Sequence, residues 1–241
     1  MNINKFTYMN PDSDGDINLD LSCLLENDSD FDIELVRGSV IIVNNDGVTI
    51  GGEDIDDDRV FIASKDSGEI DAFNWCRIHK DSLSGGSGAD CKAYVSLTSY
   101  RREFVKVGSL DVPTKSGEMT LIKKVISLGG AGELMGVSCL REKDDDDGEM
   151  QLNFRAGVRN TSDQYISRAQ VTIKAMDQRD AQIEDTVDYA SIPSHSGHVF
   201  EPSFYGLKYG KLKNGTFEIS ASVYLPVSSY SAEGTPVLAE D

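Results

Sequence analysis

Apolar and polar side chains alternate along residues 16–25, which read DINLDLSCLL. Successive side chains of a β-strand point to opposite faces of a sheet, so a period of two is typical of a strand with one buried face. Leu19, Leu21 and Cys23 share one face of this stretch, and Asp20 lies on the other. The stretch therefore predicts a half-buried β-strand.

The same alternation recurs along much of the chain. It is found in residues 39–43, 92–98, 152–158 and 169–175, and turn residues such as Asn-Asn-Asp-Gly at 44–47 separate the runs. Short strands with regularly spaced turns and few amphipathic helices are typical of β-sandwiches. The sequence therefore predicts an all-β fold of one or two antiparallel β-sandwiches with little helix.

The N-terminal strands have an echo in the second half of the chain, at a constant offset. Repeated apolar and turn positions of this kind predict two related β-sandwich units. We expect a first sandwich over residues 1–147, a second over 148–228 and a flexible tail over 229–241, with an acidic run at 144–147 near the boundary. The echoed pairs are Leu19/Leu152, Leu21/Phe154, Cys23/Ala156, Leu25/Val158, Asn27/Asn160, Ser29/Ser162 and Ile33/Ile166.

Two echoed triplets, Asn27-Asp28-Ser29 and Asn160-Thr161-Ser162, match the acceptor sequence for N-glycosylation. Residues 1–8 contain no apolar segment of the kind found in secretion signals. We therefore interpret both triplets as Asx-type turns, in which the Asn side chain bonds to nearby backbone. We also predict a cytoplasmic protein, with a virion or another assembly as the alternative location.

The charge balance restricts the class of partner. The chain has 41 acidic residues against 23 Lys and Arg, which gives a net charge of −18. This field repels phosphate backbones and anionic membranes, and it favours divalent cations or basic partners. The sequence has no apolar run long enough to span a bilayer. We therefore predict no nucleic-acid binding and no membrane insertion, with other protein subunits, a homo-oligomer among them, as partners.

The residues that commonly carry catalysis are sparse or scattered. The chain has three histidines, His79, His195 and His198, and Ser and Asp are so abundant that a triad-like combination with one of them arises by chance and carries no signal. The four cysteines form no Cys-x-x-Cys pair, so free thiols are expected, with a disulfide between Cys76 and Cys91 left open. We predict that the protein is not an enzyme.

Acidic residues are concentrated in two stretches near the N-terminus. Calcium is bound by six to eight oxygen atoms, which acidic turns and strand ends can supply. Residues 10–18 place oxygen-bearing side chains at alternate positions, as in an EF-hand loop. The twelfth position is Leu21 where an EF-hand has Glu, so a true EF-hand is not expected, and a looser calcium loop stays open.

Residues 16–25 also resemble the Asp-Phe-Asp-Leu-Asp-Ala-Ser-Ala-Phe-Leu-Leu signature of the TerD family, the tellurium-resistance and stress-response calcium-binding β-sandwiches. Later segments of the family are similar to residues 43–49, 56–58, 94–107 and 148–156 here, in the same order. The resemblance covers about residues 10–157, although the family's closing Trp is Met150. It implies a Ca²⁺ cofactor, with these candidate ligands: Asp16, Asn18, Asp20, Asn45, Asp46, Asp56, Asp57 and Asp58.

The C-terminal part resembles a different group. Residues 156–162 and 169–177 are similar to the Gly-x-Val-x-Asn…Val-x-Val…Asp run of small immunoglobulin-like bacterial domains, which mediate contacts or act as spacers. Two hypotheses follow. The first is a non-enzymatic, calcium-binding β-sandwich protein related to a stress response. The alternative is a structural or interaction protein of a virion or surface assembly, with no dedicated metal site.

Overall fold

The computed structural model of the chain describes residues 1–113, 115–142 and 148–239. Strands account for 67% of the chain and helix for 4%, so the predicted all-β class with little helix is confirmed. The chain forms two compact units. Unit 1 contains Met1–Arg101 and Pro226–Asp241, and unit 2 contains Arg102–Leu225.

Unit 1 is built from two sheets that enclose one apolar core. Strand β2 lies between β1 and β5 in the first sheet, and β3 lies between β4 and β6 in the second. The C-terminal residues of β15 lie beside β6, and the short β16 pairs in parallel with β1. The bounds are β1 Asn2–Tyr8, β2 Asp16–Glu26, β3 Leu35–Asn44, β4 Thr49–Asp57, β5 Ser67–His79, β6 Cys91–Asp111, β15 Thr216–Gly234 and β16 Val237–Leu238.

Unit 2 has the same plan. Strand β10 lies between β9 and the pair β13 and β14, and β11 lies between β12 and β15. Strands β7 and β8 both pair with β9. The bounds are β7 Gly117–Ile122, β8 Ile126–Leu128, β9 Gly132–Arg141, β10 Glu149–Asn160, β11 Ile166–Met176, β12 Gln182–Ile192, β13 Gly197–Phe200, β14 Ser203–Lys208 and the short helix α1 Tyr209–Leu212.

The alternation of β2 determines which of its side chains enter the core. Ile17, Leu19, Leu21, Cys23 and Leu25 all have no exposed area, as their period of two predicts. Full burial of an aliphatic side chain of this size contributes about 1.5–3 kcal/mol to folding. These residues therefore hold β2 in place and orient its acidic side chains away from the core.

The corner that follows β2 in unit 1 recurs after β10 in unit 2. Asn27 and Asn160 are both buried, and each accepts a hydrogen bond at Oδ1 from the backbone N–H two residues later. These are the predicted Asx-type turns. Each Nδ2 also donates to carbonyl oxygens far along the chain, at Ile62 in unit 1 and Ile192 in unit 2. The offset of the sequence echo therefore recurs in the turn bonds, whereas the distant acceptors lie 35 and 32 residues along the chain and so depart from it by three residues.

The hairpins that follow these corners also match. Asn44 Oδ1 accepts from the N–H groups of Asp46 and Val48 in unit 1. Asp177 Oδ1 accepts from those of Arg179 and Ala181 in unit 2. These backbone bonds lower the pKa of the Asp177 carboxyl. Equivalent turns joining equivalent strands indicate that the two units repeat one structural plan.

The two units do not follow the expected division at residue 147. Strand β9, which precedes that position, belongs with β10 in unit 2, and the acidic run at 144–147 lies outside the described residues. Within the expected flexible tail, β15 continues to Gly234 and β16 pairs with Thr7 and Tyr8. The polar sequence of this segment suggests a loose tail, but backbone pairing makes no demand on side-chain polarity.

Candidate functional site

The predicted ligands on β2 face away from the core, where basic side chains already contact two of them. Asp20 pairs with Lys5, and this contact raises the pKa of the Lys5 ammonium. Asp16 Oδ2 lies 3.4 Å from Arg77 Nη1. Asn18 is half-buried on the same face of β2. These carboxylates are therefore partly neutralised by the protein itself.

The segment before β2 uses its first carboxylate to shape the chain. Asp12 Oδ1 accepts hydrogen bonds from the backbone N–H groups of Asp14 and Asp16, both at 2.9 Å. These bonds favour the charged form and lower the pKa of the Asp12 carboxyl. The spacing that resembles an EF-hand loop therefore produces an Asx turn here.

Asn45 and Asp46 lie in the exposed turn between β3 and β4. The Asn45 amide donates to Asp90 Oδ1 at 3.4 Å, and Ser84 Oγ donates to Asp46 Oδ2 at 2.9 Å. Both contacts join the turn to the segment that precedes β6. The two side chains are therefore held apart from those of Asp56–Asp58, which lie at the other end of β4.

The last predicted ligands lie at the end of β4. Asp56 forms a bidentate pair with Arg37 on β3, with Nε–Oδ1 at 3.0 Å and Nη2–Oδ2 at 2.9 Å. Two parallel charge-assisted bonds of this kind are strong for a surface pair. Asp57 Oδ1 accepts from the backbone N–H of Arg59 at 3.0 Å, and Asp58 is exposed.

An open groove of about 660 Å³ lies along this end of β4. It brings Asp56–Asp58 together with acidic residues that the ligand prediction did not include. Strand β4 is the outermost strand of its sheet, so one row of its backbone N–H and C=O groups has no neighbouring strand within the described part of the chain. The acidic lining of this groove, called the acidic groove below, consists of Glu53, Asp54, Asp56, Asp57, Asp58 and Asp71.

The acidic groove lies where unit 1 departs from the shared plan. Val36 is opposite Asp57 in unit 1, and Ala169 is opposite Ala190 in unit 2. In unit 2 only Ser191 separates Ala190 from Ile192, which receives the Asn160 amide. In unit 1 the corresponding Ile62 comes after residues 58–61. This additional length carries Asp58 and Arg59 out to the groove.

Sequence reasoning did not find Asp71 and Arg37 as parts of the site. Asp71 lies on β5, in the other sheet, and no local pattern indicates that β4 and β5 share a groove. Arg37 is separated from Asp56 by a whole hairpin. A cross-strand pair of opposite charges is the signal that could have found Arg37, once the register of the hairpin was known.

The eight predicted ligands are not brought together. Those on β2, those in the turn at 45–46 and those at the end of β4 lie at three separate places. Within residues 1–113, 115–142 and 148–239, no group of three or more His, Cys, Asp or Glu side chains is arranged to hold a metal ion. The full set therefore does not fit one calcium ion, and only the acidic groove keeps several carboxylates near one another.

The cysteines are relevant to thiol-based chemistry, and the apolar segments are relevant to membrane insertion. All four cysteines are free thiols, and burial raises the pKa of Cys23 and Cys91 to about 11 and that of Cys139 to about 12. At neutral pH such thiols are protonated and weakly nucleophilic. In the described part of the chain, no helix has the length and apolar character needed to cross a membrane.

Comparison with known proteins identifies no family. No family model and no curated protein matches the chain. A crystal structure of an Archaeoglobus fulgidus protein is 10% identical, with a TM-score of 0.25, over 41% of this chain and 81% of that one.

Two enzymes match over more of this chain. The red sea bream transglutaminase is 10% identical, with a TM-score of 0.24, and the Amycolatopsis orientalis exo-chitosanase is 10% identical, with a TM-score of 0.26. The matches cover 98% and 92% of this chain but only 31% and 26% of those enzymes. Likenesses at these TM-scores carry no argument about function.

Proposed function

We propose that the protein acts by binding and not by catalysis, as an interaction component that docks a positively charged segment of another protein subunit in the acidic groove. The observation that supports this proposal is the groove itself, which six carboxylates line, most of them on β4, the outermost strand of its sheet. Carboxylates this close repel one another unless positive charge is placed among them. Arg37 and Arg59 supply part of that charge, and a basic partner would supply more.

The protein already shows the chemistry that such a partner would use. Arg37 occupies Asp56 in a bidentate pair, while Asp57 and Asp58 extend along the same edge. An extended segment can add a strand at an open sheet edge, with main-chain bonds giving affinity and side-chain contacts giving specificity. The net charge of −18 would also attract a basic partner over a distance.

The groove is tested with a double variant that keeps the Arg37–Asp56 pair. We expect Asp57→Asn with Asp58→Asn to weaken binding of a labelled peptide of alternating lysine and valine about fivefold, since lost contacts of exposed charges contribute on the order of 1 kcal/mol together. Fluorescence anisotropy at low ionic strength and at about 0.15 M salt measures the affinity.

The matched control for this experiment changes the net charge equally at another place. Glu26→Gln with Asp28→Asn alters two exposed side chains at the end of β2. We expect this control to bind the peptide within about twofold of the unmodified protein. Equal weakening by both double variants, or no binding of the peptide, would contradict docking at the acidic groove.

A second candidate function is calcium binding at the acidic groove, favoured by the density of carboxylates there. Glu53, Asp57, Asp58 and Asp71 line the groove but are not arranged as a metal site in this structure, so their oxygen atoms would bind calcium only after the segments that carry them move closer together. Calcium would neutralise these side chains and stiffen the end of β4. A role in a stress response would agree with the TerD resemblance.

Calcium binding is tested by thermal unfolding with added calcium and with EGTA. We expect millimolar calcium to raise Tm by about 5 °C, because a ligand at 100 times its Kd adds about 2.7 kcal/mol to stability. The Asp57→Asn, Asp58→Asn variant should lose this shift, and the Glu26→Gln, Asp28→Asn control should keep it. A Tm that calcium does not move would contradict calcium binding at the groove.

A further inference from the structure

The sheet of unit 2 that contains β9, β10 and β14 carries a pocket on its outer face. This pocket is separate from the acidic groove. Its volume is about 460 Å³, within the usual range for small-molecule sites. Tyr205 is 68% exposed and Leu140 is 42% exposed, so both present apolar surface to the solvent beside the pocket. The pocket is lined by Ser138 and Leu140 on β9, Asn153 and Arg155 on β10, and Ser203 and Tyr205 on β14.

The polar groups of the pocket include both donors and acceptors. Arg155 Nε lies 3.1 Å from Glu201 Oε1, so the charges of these two side chains offset each other. Asn153 Nδ2 donates to Glu142 Oε1 at 2.9 Å, which holds the amide in one orientation. Hydroxyl, amide and paired ionic groups therefore surround an apolar surface without a net charge of their own.

Unit 1 provides an internal comparison for this face. The paired positions Lys5 and Ser22 in unit 1 correspond to Ser138 and Arg155 in unit 2. In unit 1 these side chains are used within the protein, since Lys5 pairs with Asp20 and Ser22 donates to Glu69. In unit 2 Arg155 is likewise paired, with Glu201, but the face also presents an exposed tyrosine and leucine beside these polar side chains. The two faces therefore share the same strand pairing and differ in the side chains that they expose.

The lining of the pocket sets three conditions on a ligand. It should be uncharged, because the net charge of −18 repels anions, Arg155 offsets the charge of Glu201, and Glu142 does not line the pocket. It must present an apolar C–H surface to Tyr205 and Leu140. It must also carry several donors and acceptors around its rim, because groups left unpaired on binding cost free energy.

We propose that this pocket binds one ring of a neutral saccharide. A pyranose has C–H groups on its faces and hydroxyl groups around its edge, so it meets all three conditions. The ring of Tyr205 would pack against a sugar face, and Ser138, Asn153 and Ser203 would bond to hydroxyls at the edge. The paired Arg155 and Glu201 would donate to and accept from neighbouring hydroxyl groups. This site is separate from the proposed acidic-groove function and does not depend on it.

The proposal is tested with maltopentaose, cellopentaose, xylopentaose and mannopentaose as probes, by saturation-transfer NMR and titration calorimetry on the full chain. We expect at least one of them to bind with a Kd below about 10 mM. Tyr205→Ala should weaken that binding about tenfold, which corresponds to about 1.4 kcal/mol. Tyr205→Phe should bind nearly as well as the unmodified protein, because the ring remains.

Tyr165→Ala is the matched control, since Tyr165 is 54% exposed in the same unit and does not line the pocket. It should leave the affinity unchanged. The proposal is wrong if none of the four saccharides binds below about 10 mM, or if Tyr205→Ala and Tyr165→Ala bind the active saccharide equally well.

Discussion

Replacing Asn160 by aspartate should lower the free energy of unfolding by about 3–5 kcal/mol, one of the two largest effects we expect. Asn160 has no exposed area, and its Nδ2 donates to the carbonyl oxygens of Gln164, Ile192 and Pro193 at 2.8, 3.1 and 3.1 Å. An aspartate carboxylate has the same shape but only acceptors. It would place negative charge against three carbonyl oxygens without a donor.

The pH dependence of this variant separates lost hydrogen bonds from a change in packing. A buried carboxylate facing carbonyl oxygens has its pKa raised above the unfolded value of about 3.9. The protonated carboxyl keeps one donor. The Asn160→Asp substitution should therefore destabilise the fold least at pH values below the unfolded pKa of about 3.9. The destabilisation should grow as the pH rises through the folded-state pKa. Urea unfolding followed by circular dichroism at both ends of this range measures the difference.

The repeated plan supplies a replicate and a control for this prediction. Asn27→Asp should destabilise unit 1 in the same way, because Asn27 Nδ2 donates to the carbonyls of Phe31, Ile62 and Ala63. Asn2→Asp changes an exposed residue of β1 and should alter stability by no more than about 0.5 kcal/mol. An Asn160→Asp protein with the unfolding midpoint of Asn2→Asp would show that the corner is not a source of stability.

At the corners that follow β2 and β10, the sequence predicted only the features that depend on neighbouring residues. The Asx turn joins residues two apart, so the triplet itself indicates it. The Asn27 and Asn160 amides also donate to the carbonyl oxygens of Ile62 and Ile192, which lie 35 and 32 residues further along the chain. Such partners depend on how strands assemble, and no local pattern encodes them. Burial along β2 was predictable for the opposite reason, because the period of two is a property of the strand alone.

The candidate site was less predictable, because the register of β3 against β4 determines which side chains face each other there. Val43 is opposite Thr49 near the turn, but an irregularity next to Ile42 shifts the pairing by one residue. Without that shift Arg37 would face Ile55, and with it Arg37 faces Asp56. A one-residue slip changes every pair beyond it. A motif match along the sequence therefore indicated acidic residues correctly but could not show which of them lie together.

Phe154→Ala should also lower the free energy of unfolding by about 3–5 kcal/mol, measured by urea unfolding. Phe154 has no exposed area and packs edge-on against Phe204 and Phe217, with ring centroids 6.1 and 5.3 Å away. Phe204 and Phe217 stack on each other at 5.8 Å. Removing one ring of three leaves a cavity that the other two rings, fixed by their own contact, cannot fill.

The size of the loss tests whether the aromatic cluster or the strand itself stabilises unit 2. Phe154→Leu introduces the residue that the echo places at Leu21 in unit 1, and a partial refilling should reduce the loss to about 1–2 kcal/mol. Tyr205→Ala removes a ring from the outer face of the same sheet and should cost no more than about 0.5 kcal/mol. If Phe154→Ala cost no more than Tyr205→Ala, the core of unit 2 would have to relax around the missing ring. Such relaxation would contradict the close packing of the three rings.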